Sequence, residues 1–289
     1  MTINALLRDL LPPLLVRVAR SLTKTSRPLI PMASKPEWEC IPEGWGAEES
    51  DPAIKGWNVQ TVLDAYKAKW DAFLKTTQGA APFGLPPEAI SSASNADLPY
   101  HNGVMVFGYC LALASRNKEA VSMLDWGGGI GHYYLISRAL LPDLKIEYHC
   151  KDVPLLAQHG ASLFPEALFH SDESCLLRRY DFVMAGTSLH YARDWRAALG
   201  GLARATGGYL LVTGLPVVHT APAYVFVQRP YPYGYDTEYL AWCLNRSEFL
   251  ENAPGLGLRL VREFITGYRP PIKGAPEECE YRGYLFRPE

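Results

Sequence analysis

The sequence lacks every pattern that would indicate a metal site, a disulfide scaffold or a membrane span. No two cysteines form a CxxC pair, and no Cys/His cluster has zinc-ligand spacing, so we expect reduced thiols in a cytoplasmic protein and no metal. No apolar run reaches the roughly 18–20 residues that cross a bilayer. The six separated cysteines are Cys40, Cys110, Cys150, Cys175, Cys243 and Cys279.

An excess of charge of either sign is also absent. The 28 Lys and Arg residues nearly balance the 30 Asp and Glu residues, and the formal net charge is −2. This balance gives no reason to expect a nucleic-acid partner. A chain of 289 residues with 48% hydrophobic content is long enough to bury a full core, while its composition says nothing about oligomeric state.

Residues 5–22 are rich in leucine and valine but are interrupted by Asp9, Pro12, Pro13 and Arg17. A secretory signal would have an unbroken apolar centre, so this interpretation is disfavoured. Two alternatives remain open. The segment is either a basic amphipathic anchor in weak peripheral contact with the inner face of the membrane, or a pair of short helices packed on the protein.

The pattern of the chain changes near residue 100. Residues 1–99 combine Pro-, Gly- and Trp-rich irregular stretches with one helical periodicity over residues 59–74, and they predict a helical and irregular N-terminal cap. Residues 100–289 begin with a predicted helix and continue as alternating strands and helices. We therefore expect an α/β domain there, with an insertion on the substrate side at about 215–250.

Seven strand candidates follow residue 120. Helical segments separate the first five, and such repeated βα units predict a Rossmann-like, mostly parallel sheet with helices on both faces. Only turn residues separate the last two, so we expect an antiparallel pair at the edge of the sheet, with the last strand antiparallel. The candidates cover residues 121–126, 145–150, 168–170, 181–185, 209–213, 259–265 and 281–287.

The clearest motif is the glycine-rich turn after the first strand candidate. Asp125 ends this buried strand, and Gly127, Gly129 and Gly131 follow at the spacing acidic-x-Gly-x-Gly-x-Gly before a helix. Glycines let the chain turn tightly and let backbone N–H groups approach a ligand. The turn is therefore either a cofactor loop or an ordinary glycine-rich connection between strand and helix.

The spacing excludes two common phosphate-binding loops. The dinucleotide pattern G-x-G-x-x-G fails in both registers, because the third glycine would fall at His132 or at Tyr134. The P-loop pattern fails because no Gly-Lys-Ser/Thr follows the glycines. A cofactor without a pyrophosphate does not need either register.

Together with two later carboxylates, the loop resembles the cofactor site of Rossmann-like (class I) S-adenosylmethionine-dependent methyltransferases. Asp152, 27 residues beyond Asp125 at the tip of the second strand, matches the position that holds the ribose hydroxyls. Asp172 matches the acidic position that contacts the adenine amino group. The resemblance implies S-adenosyl-L-methionine as cofactor, bound by Asp125, Gly127, Gly129, Gly131, Asp152 and Asp172.

A narrower resemblance covers roughly residues 100–265. Asp125-Trp-Gly-Gly-Gly, Leu189-His190-Tyr191 with Asp194-Trp195, and Val227-Gln228-Arg229 with the Tyr-Pro repeats are similar to a family of methyltransferases often found in bacterial surface-polysaccharide gene clusters. This resemblance implies O-methylation of a sugar or glycan intermediate, or of another small molecule.

Methyl transfer aligns a donor with an acceptor and sometimes removes a proton from the acceptor. The loops after the fourth and fifth strands face the crevice of such a sheet, so they supply the candidates for a general base. His190 is the first candidate and His219 the second, because histidine titrates near neutral pH. Each histidine has a purely structural alternative.

The acceptor is expected near residues 221–242, where a long insertion is rich in aromatic side chains. Tyrosines suit stacking on a sugar ring, and Arg229 would pair with a phosphate or carboxylate. The alternative is that these aromatic side chains pack on the N-terminal cap. The substrate-binding candidates are Tyr191, Arg229, Tyr231 and Tyr233.

Two functions of other classes remain as alternatives. A sugar oxidoreductase that uses NAD would share the fold, although the glycine spacing argues against it. A non-catalytic protein that binds the cofactor and pairs with another enzyme would share both the fold and the loop.

Overall fold

The computed structural model describes residues 35–49, 51–84 and 98–289. The proposed membrane anchor at residues 5–22 lies outside these ranges. Within them, no helix has both the length and the apolar character that crossing a membrane requires.

Five parallel strands form the centre of the sheet, in the order β4-β3-β2-β5-β6. Because all five run in the same direction, their carboxyl ends meet at one edge of the sheet, and the loops that follow them lie together there. The strands are β2 (Ala120–Trp126), β3 (Lys145–Lys151), β4 (Leu168–His170), β5 (Tyr180–Gly186) and β6 (Thr206–Val218).

Two antiparallel strands complete this sheet beyond β6. The last strand, β10 (Glu280–Pro288), pairs antiparallel with β6 on one side and with β9 (Leu258–Ile265) on the other. The expected antiparallel last strand is confirmed. The predicted boundaries of the seven strand candidates agree with the structure to within a few residues at each end. The largest difference is at β6, which was predicted over residues 209–213 and extends over Thr206–Val218.

Apolar side chains of the central strands alternate between two covered faces. Met123 and Phe182 face one cluster, whereas Leu124 and Val183 face the other. The first cluster includes residues of α1 (Gln60–Thr76), α2 (Leu98–Ser115) and α3 (His132–Leu140). The helix α4 (Pro154–Leu163) packs beside β4. The second cluster includes residues of α5 (Trp195–Ala205) and α6 (Arg246–Gly255). Helices cover both faces, as a Rossmann-like α/β fold requires.

The described ranges contain ten strands rather than the seven predicted. The additional strands are β1 (Trp38–Cys40), β7 (Tyr224–Gln228) and β8 (Tyr239–Asn245). β1 pairs with β7, and β7 with β8, in both cases antiparallel. Residues 215–250 are therefore largely regular structure, and part of the N-terminal region joins the sheet.

Strand β6 connects the two groups of strands. Its first part pairs with β5 as far as Thr213, and its last residues, Val217 and Val218, pair with β8. Between these contacts lies Gly214, whose φ of +62° favours glycine. Thr213 and Gly214 line the cavity described below.

Candidate active site

A cavity of about 400 Å³ opens at the carboxyl edge of the parallel strands. Its walls come from the glycine-rich loop after β2, the loops after β3 and β5, the helices α1 and α2, and the segment between β9 and β10. We group its lining residues by chemistry. The glycine-rich loop with Lys151, Asp152 and Glu173 is called the loop half, and the tyrosine and tryptophan side chains named below are called the aromatic half.

Gly127 and Gly129 lie on the cavity wall, as expected of a cofactor loop. Gly127 has φ +81°, and a Cβ there would lie 2.2 Å from the Cβ of Ser188. Gly129 has φ +63°, and a Cβ there would lie 3.1 Å from the ring of Tyr66. Gly131 does not line the cavity; it precedes α3, with Phe164 and Phe169 beside it.

Asp125 lies beneath the glycine-rich loop and not on the cavity wall. It is 1% exposed, it does not line the cavity, and it accepts a hydrogen bond of 2.6 Å from the Tyr148 hydroxyl. Burial raises the pKa of the carboxyl to about 7; the nearby Asp152 adds to this and the Tyr148 hydrogen bond opposes it. A Cβ at Gly128 would lie 2.5 Å from Oδ2 of Asp125, which explains why the middle position of the loop is also glycine.

Asp152 joins the tips of β2 and β3. Its Oδ2 accepts a hydrogen bond of 2.7 Å from the Gly129 N–H, and its Oδ1 accepts one of 2.7 Å from the Val153 N–H. Burial raises the pKa of this carboxyl, while the two N–H donors and Lys151 oppose the shift. Each oxygen can accept a further hydrogen bond, so a carboxylate on the cavity wall is available to a pair of ligand hydroxyls.

Glu173, rather than the predicted Asp172, is the acidic residue that lines the cavity after β4. Its Oε1 lies 2.7 Å from Nζ of Lys151, and its Oε2 accepts a 3.0 Å hydrogen bond from Nε1 of Trp126. Asp172 instead caps the short 3₁₀ turn at Glu173–Leu177, where Oδ1 accepts a hydrogen bond from the Ser174 N–H. Hydrogen bonds from the side chain and from the N–H of Ser174 hold the pKa of Asp172 below its usual value.

The loop after β5 contributes a residue in a strained conformation. Thr187 has φ +56°, and its N–H donates a hydrogen bond of 2.7 Å to the Thr213 carbonyl. The next residue, Ser188, donates from Oγ to the Trp126 carbonyl at 2.6 Å. Left-handed backbone at a non-glycine residue is costly and concentrates at functional sites. The sequence offered no signal for it beyond its place after a strand.

The aromatic half was largely missed at the sequence level. Only Tyr191 was expected there. Tyr66 had been placed in the helical periodicity of α1 because an aromatic residue at such a position usually packs in the core. The aromatic residues that line this half are Trp57, Tyr66, Tyr100, Tyr191, Tyr268 and Tyr281.

Neither histidine proposed as a general base lies on the cavity wall. His190 is fully buried beside Tyr191, and burial lowers its pKa to about 3. His219 has a half-exposed side chain whose Nε2 lies 2.6 Å from Oε1 of Glu280. The imidazole that does line the cavity is His132, whose pKa is lowered by burial to about 4.

Three of the four substrate-binding candidates also lie away from the cavity. Arg229 is buried and paired with carboxylates, and Tyr231 donates a hydrogen bond of 2.7 Å to Glu238. The Tyr233 hydroxyl donates to Glu37 at 3.1 Å. The alternative interpretation, in which this segment packs on the N-terminal region, agrees with these contacts. Tyr191 alone lines the cavity.

Metal ligands are not assembled in the described ranges, where no group of three or more His, Cys, Asp or Glu side chains could hold an ion. All six cysteines are free.

No protein-family model matches the chain, and no curated protein matches it. Among solved structures, the chain is similar to an S-adenosylmethionine-dependent methyltransferase from Clostridium acetobutylicum, at 12% identity over 68% of this chain and 93% of that one, with a TM-score of 0.43. It is similar to the 1,6-didemethyltoxoflavin-N1-methyltransferase of Burkholderia thailandensis, at 16% identity over 76% and 89%, with a TM-score of 0.41. It is also similar to the N-terminal domain of EvdMO1, at 14% identity over 84% and 94%, with a TM-score of 0.45.

Proposed function

We propose that the chain is an S-adenosylmethionine-dependent methyltransferase. The observation that carries the proposal is the contact between Asp152 and the Gly129 N–H, which links the tips of β2 and β3 on the wall of the cavity. A glycine-rich turn beside a carboxylate at the end of the next strand suits a nucleoside with two ribose hydroxyls. The spacing of the glycines disfavours a dinucleotide.

The residues of the loop half fit the parts of this cofactor. Asp152 would accept hydrogen bonds from the ribose hydroxyls, and Glu173 with Lys151 would border the nucleoside. The backbone around Gly127 and Gly129 would hold the methionine portion. When bound, the cofactor supplies an electrophilic methyl group on its sulfonium, and the chain positions the acceptor for in-line attack.

The acceptor would occupy the aromatic half. We propose O-methylation of a sugar or glycan intermediate, or of a comparable small molecule, because tyrosine and tryptophan faces suit stacking on a ring and their polar groups suit its hydroxyls. Alignment of donor and acceptor is the contribution that the described residues support.

Calorimetry with S-adenosylhomocysteine and with NAD tests the proposal directly. We expect S-adenosylhomocysteine to bind in the micromolar range and NAD to show no heat of binding. A second measurement follows transfer of a labelled methyl group to candidate acceptors. Binding of NAD without binding of S-adenosylhomocysteine would favour an oxidoreductase, and cofactor binding without turnover on any acceptor would favour a non-catalytic role.

A further inference from the structure

Six buried polar atoms beside the aromatic half have no hydrogen-bond partner within the described part of the chain. A buried polar atom without a partner loses its hydration and gains nothing in return, so such atoms are rare in folded proteins. Eleven such atoms occur in the described ranges, and six of them belong to five side chains grouped beside one cavity. The atoms are Nε1 of Trp57, both ring nitrogens of His190, Nε2 of Gln228, and the hydroxyl oxygens of Tyr239 and Tyr281.

These side chains surround Tyr191. The ring of Tyr191 lies 5.1 Å from Trp57, 5.3 Å from Tyr239 and 4.1 Å from His190, measured between centroids. Its hydroxyl donates a hydrogen bond of 2.9 Å to Oε1 of Gln228. Trp57 and Tyr191 line the cavity, whereas His190, Gln228 and Tyr239 do not line it and contact Tyr191 instead.

Tyr281 extends the group on the other side of His190, with 6.1 Å between the two ring centroids. It too lines the cavity. We call the six side chains Trp57, His190, Tyr191, Gln228, Tyr239 and Tyr281 the Tyr191 cluster.

Every member of the Tyr191 cluster is uncharged near neutral pH. Burial lowers the pKa of His190 to about 3, and it raises the pKa values of Tyr239 and Tyr281 well above their usual range. Arg229, which was expected to bind a phosphate or carboxylate, follows Gln228 in the chain but is paired with Glu238 and Glu39.

We propose that the Tyr191 cluster is an acceptor subsite for an uncharged ring that carries several hydroxyl groups. This inference rests on the proposed methyltransferase function and narrows its acceptor. The rings of Trp57 and Tyr191 offer flat faces for stacking, and the indole N–H and the Gln228 amide would donate to ligand hydroxyls. The tyrosine hydroxyls would donate or accept. A phosphate or carboxylate would find no cation to pair with in this cluster.

Small rotations of the Trp57 and Tyr191 rings would bring ligand hydroxyls to the polar atoms behind them. Such side-chain adjustments are common when a ligand binds to an otherwise fixed backbone. The subsite therefore requires no rearrangement of the strands.

The test uses the full chain saturated with S-adenosylhomocysteine and saturation-transfer NMR with a defined set of probes. The neutral probes are D-glucose, D-galactose, L-rhamnose and myo-inositol, and the charged probes are D-glucuronate and D-glucose 6-phosphate. We expect at least one neutral ring to bind and the charged rings to bind at least tenfold more weakly. Binding of charged rings alone, or of no ring, overturns the proposal.

Tyr281→Phe and Tyr284→Phe form a matched pair for this experiment. Both hydroxyls are buried and unpartnered in the described ranges, but Tyr284 lies in the core against Phe249, away from the cavity. We expect both variants to keep or raise the melting temperature, because each removes an unpaired polar atom. Only Tyr281→Phe should weaken binding of the neutral ring, by at least fivefold. Equal ring binding in the two variants, or a clear loss of stability in Tyr281→Phe alone, contradicts the proposal.

The two proposals fail in different ways. If S-adenosylhomocysteine does not bind the unaltered chain in calorimetry, the methyltransferase function is wrong. If it binds and no neutral ring does, the function stands and only the acceptor subsite is wrong.

Discussion

Arg229 and Glu238 form an ion pair inside the protein, with 3.0 Å between Nε and Oε2 and side chains that are 7% and 2% exposed. The same guanidinium contacts Oε2 of Glu39 at 2.9 Å and donates to the Pro36 carbonyl. Through these further contacts, Arg229 connects the segment after β7 to the segment around β1. A planar guanidinium with several donors suits such a buried junction better than a lysine would.

Arg229→Ala is expected to lower the free energy of unfolding by about 2–4 kcal/mol, because Glu238 loses its buried cation and keeps only the Tyr231 hydroxyl and the more exposed Lys35 nearby. Urea unfolding measures this loss. Arg262→Ala is the control, since Arg262 is an exposed arginine of β9 and should change stability by less than about 0.5 kcal/mol. Affinity for S-adenosylhomocysteine should stay within a factor of about two in the folded fraction of each variant. An unchanged stability together with a raised acceptor KM would restore Arg229 as a substrate residue.

Gly129→Ala is expected to weaken S-adenosylhomocysteine binding at least ~10-fold. The substitution forces an alanine into φ +63° and places its Cβ 3.1 Å from Tyr66, so the loop and α1 must shift. Gly257→Ala is the matched control, because its backbone is also left-handed, with φ +69°, nothing lies within 4 Å of a Cβ there, and it does not line the cavity. It should lower stability slightly through backbone strain alone and leave cofactor affinity unchanged. Calorimetry measures the affinities, and equal cofactor affinity in the two variants would mean that the glycine-rich loop does not bind the cofactor.

Glu173→Gln and Asp172→Asn distinguish the two neighbouring acidic residues. Glu173 lines the cavity and holds Lys151 at 2.7 Å, so its amide variant should lower the affinity for S-adenosylhomocysteine several-fold. Asp172 caps a turn, and an asparagine keeps that role. Its variant should bind with unchanged affinity. The reverse order of effects would mean that the side chains exchange places when the cofactor binds.

Asp125→Asn is expected to change how stability depends on pH. The pKa of Asp125 is raised to about 7, so between about pH 4 and pH 7 the folded chain holds a proton that the unfolded chain has lost. This carboxyl therefore lowers stability progressively as pH rises through that range. The variant should lose less stability, or gain more, than the unaltered chain between pH 5 and pH 8.

Asp181→Asn is the control for this comparison. The pKa of Asp181 is lowered, chiefly by its contacts with Lys118 and Ser122, which outweigh the effect of burial. Its contribution to stability is therefore already complete above about pH 4 and is lost only at lower pH. Urea unfolding at the two pH values should give the same difference for Asp181→Asn as for the unaltered chain. A matching result for Asp125→Asn would mean that Asp125 is ionised throughout.

Much of the parallel sheet could be predicted because its signals are local. The alternation of Met123 and Leu124 between two apolar faces, and the glycine spacing after Asp125, depend only on neighbours in the sequence. Asp152, predicted to bind the cofactor, lines the cavity, and the end of a strand on which that prediction rests is also a local feature.

The parts that were missed depend on partners distant in sequence. Strands β7 and β8 are separated by the Pro- and Gly-rich residues 229–238, which favour a loop when they are considered alone. Arg229 looked like a ligand residue because its partner Glu39 lies 190 positions earlier. Tyr66 looked like a core residue because the cavity that it faces is created only when α1 packs across the glycine-rich loop.

The length of β6 affects how the sheet opens during local unfolding. This one strand is hydrogen-bonded to β5, β10 and β8, so the central sheet and the strands around Tyr239 share a single backbone segment. The amides of β6 should therefore exchange with deuterium in one cooperative opening event along the strand. A ligand that contacts both sides of the cavity should therefore slow hydrogen exchange along the whole of β6.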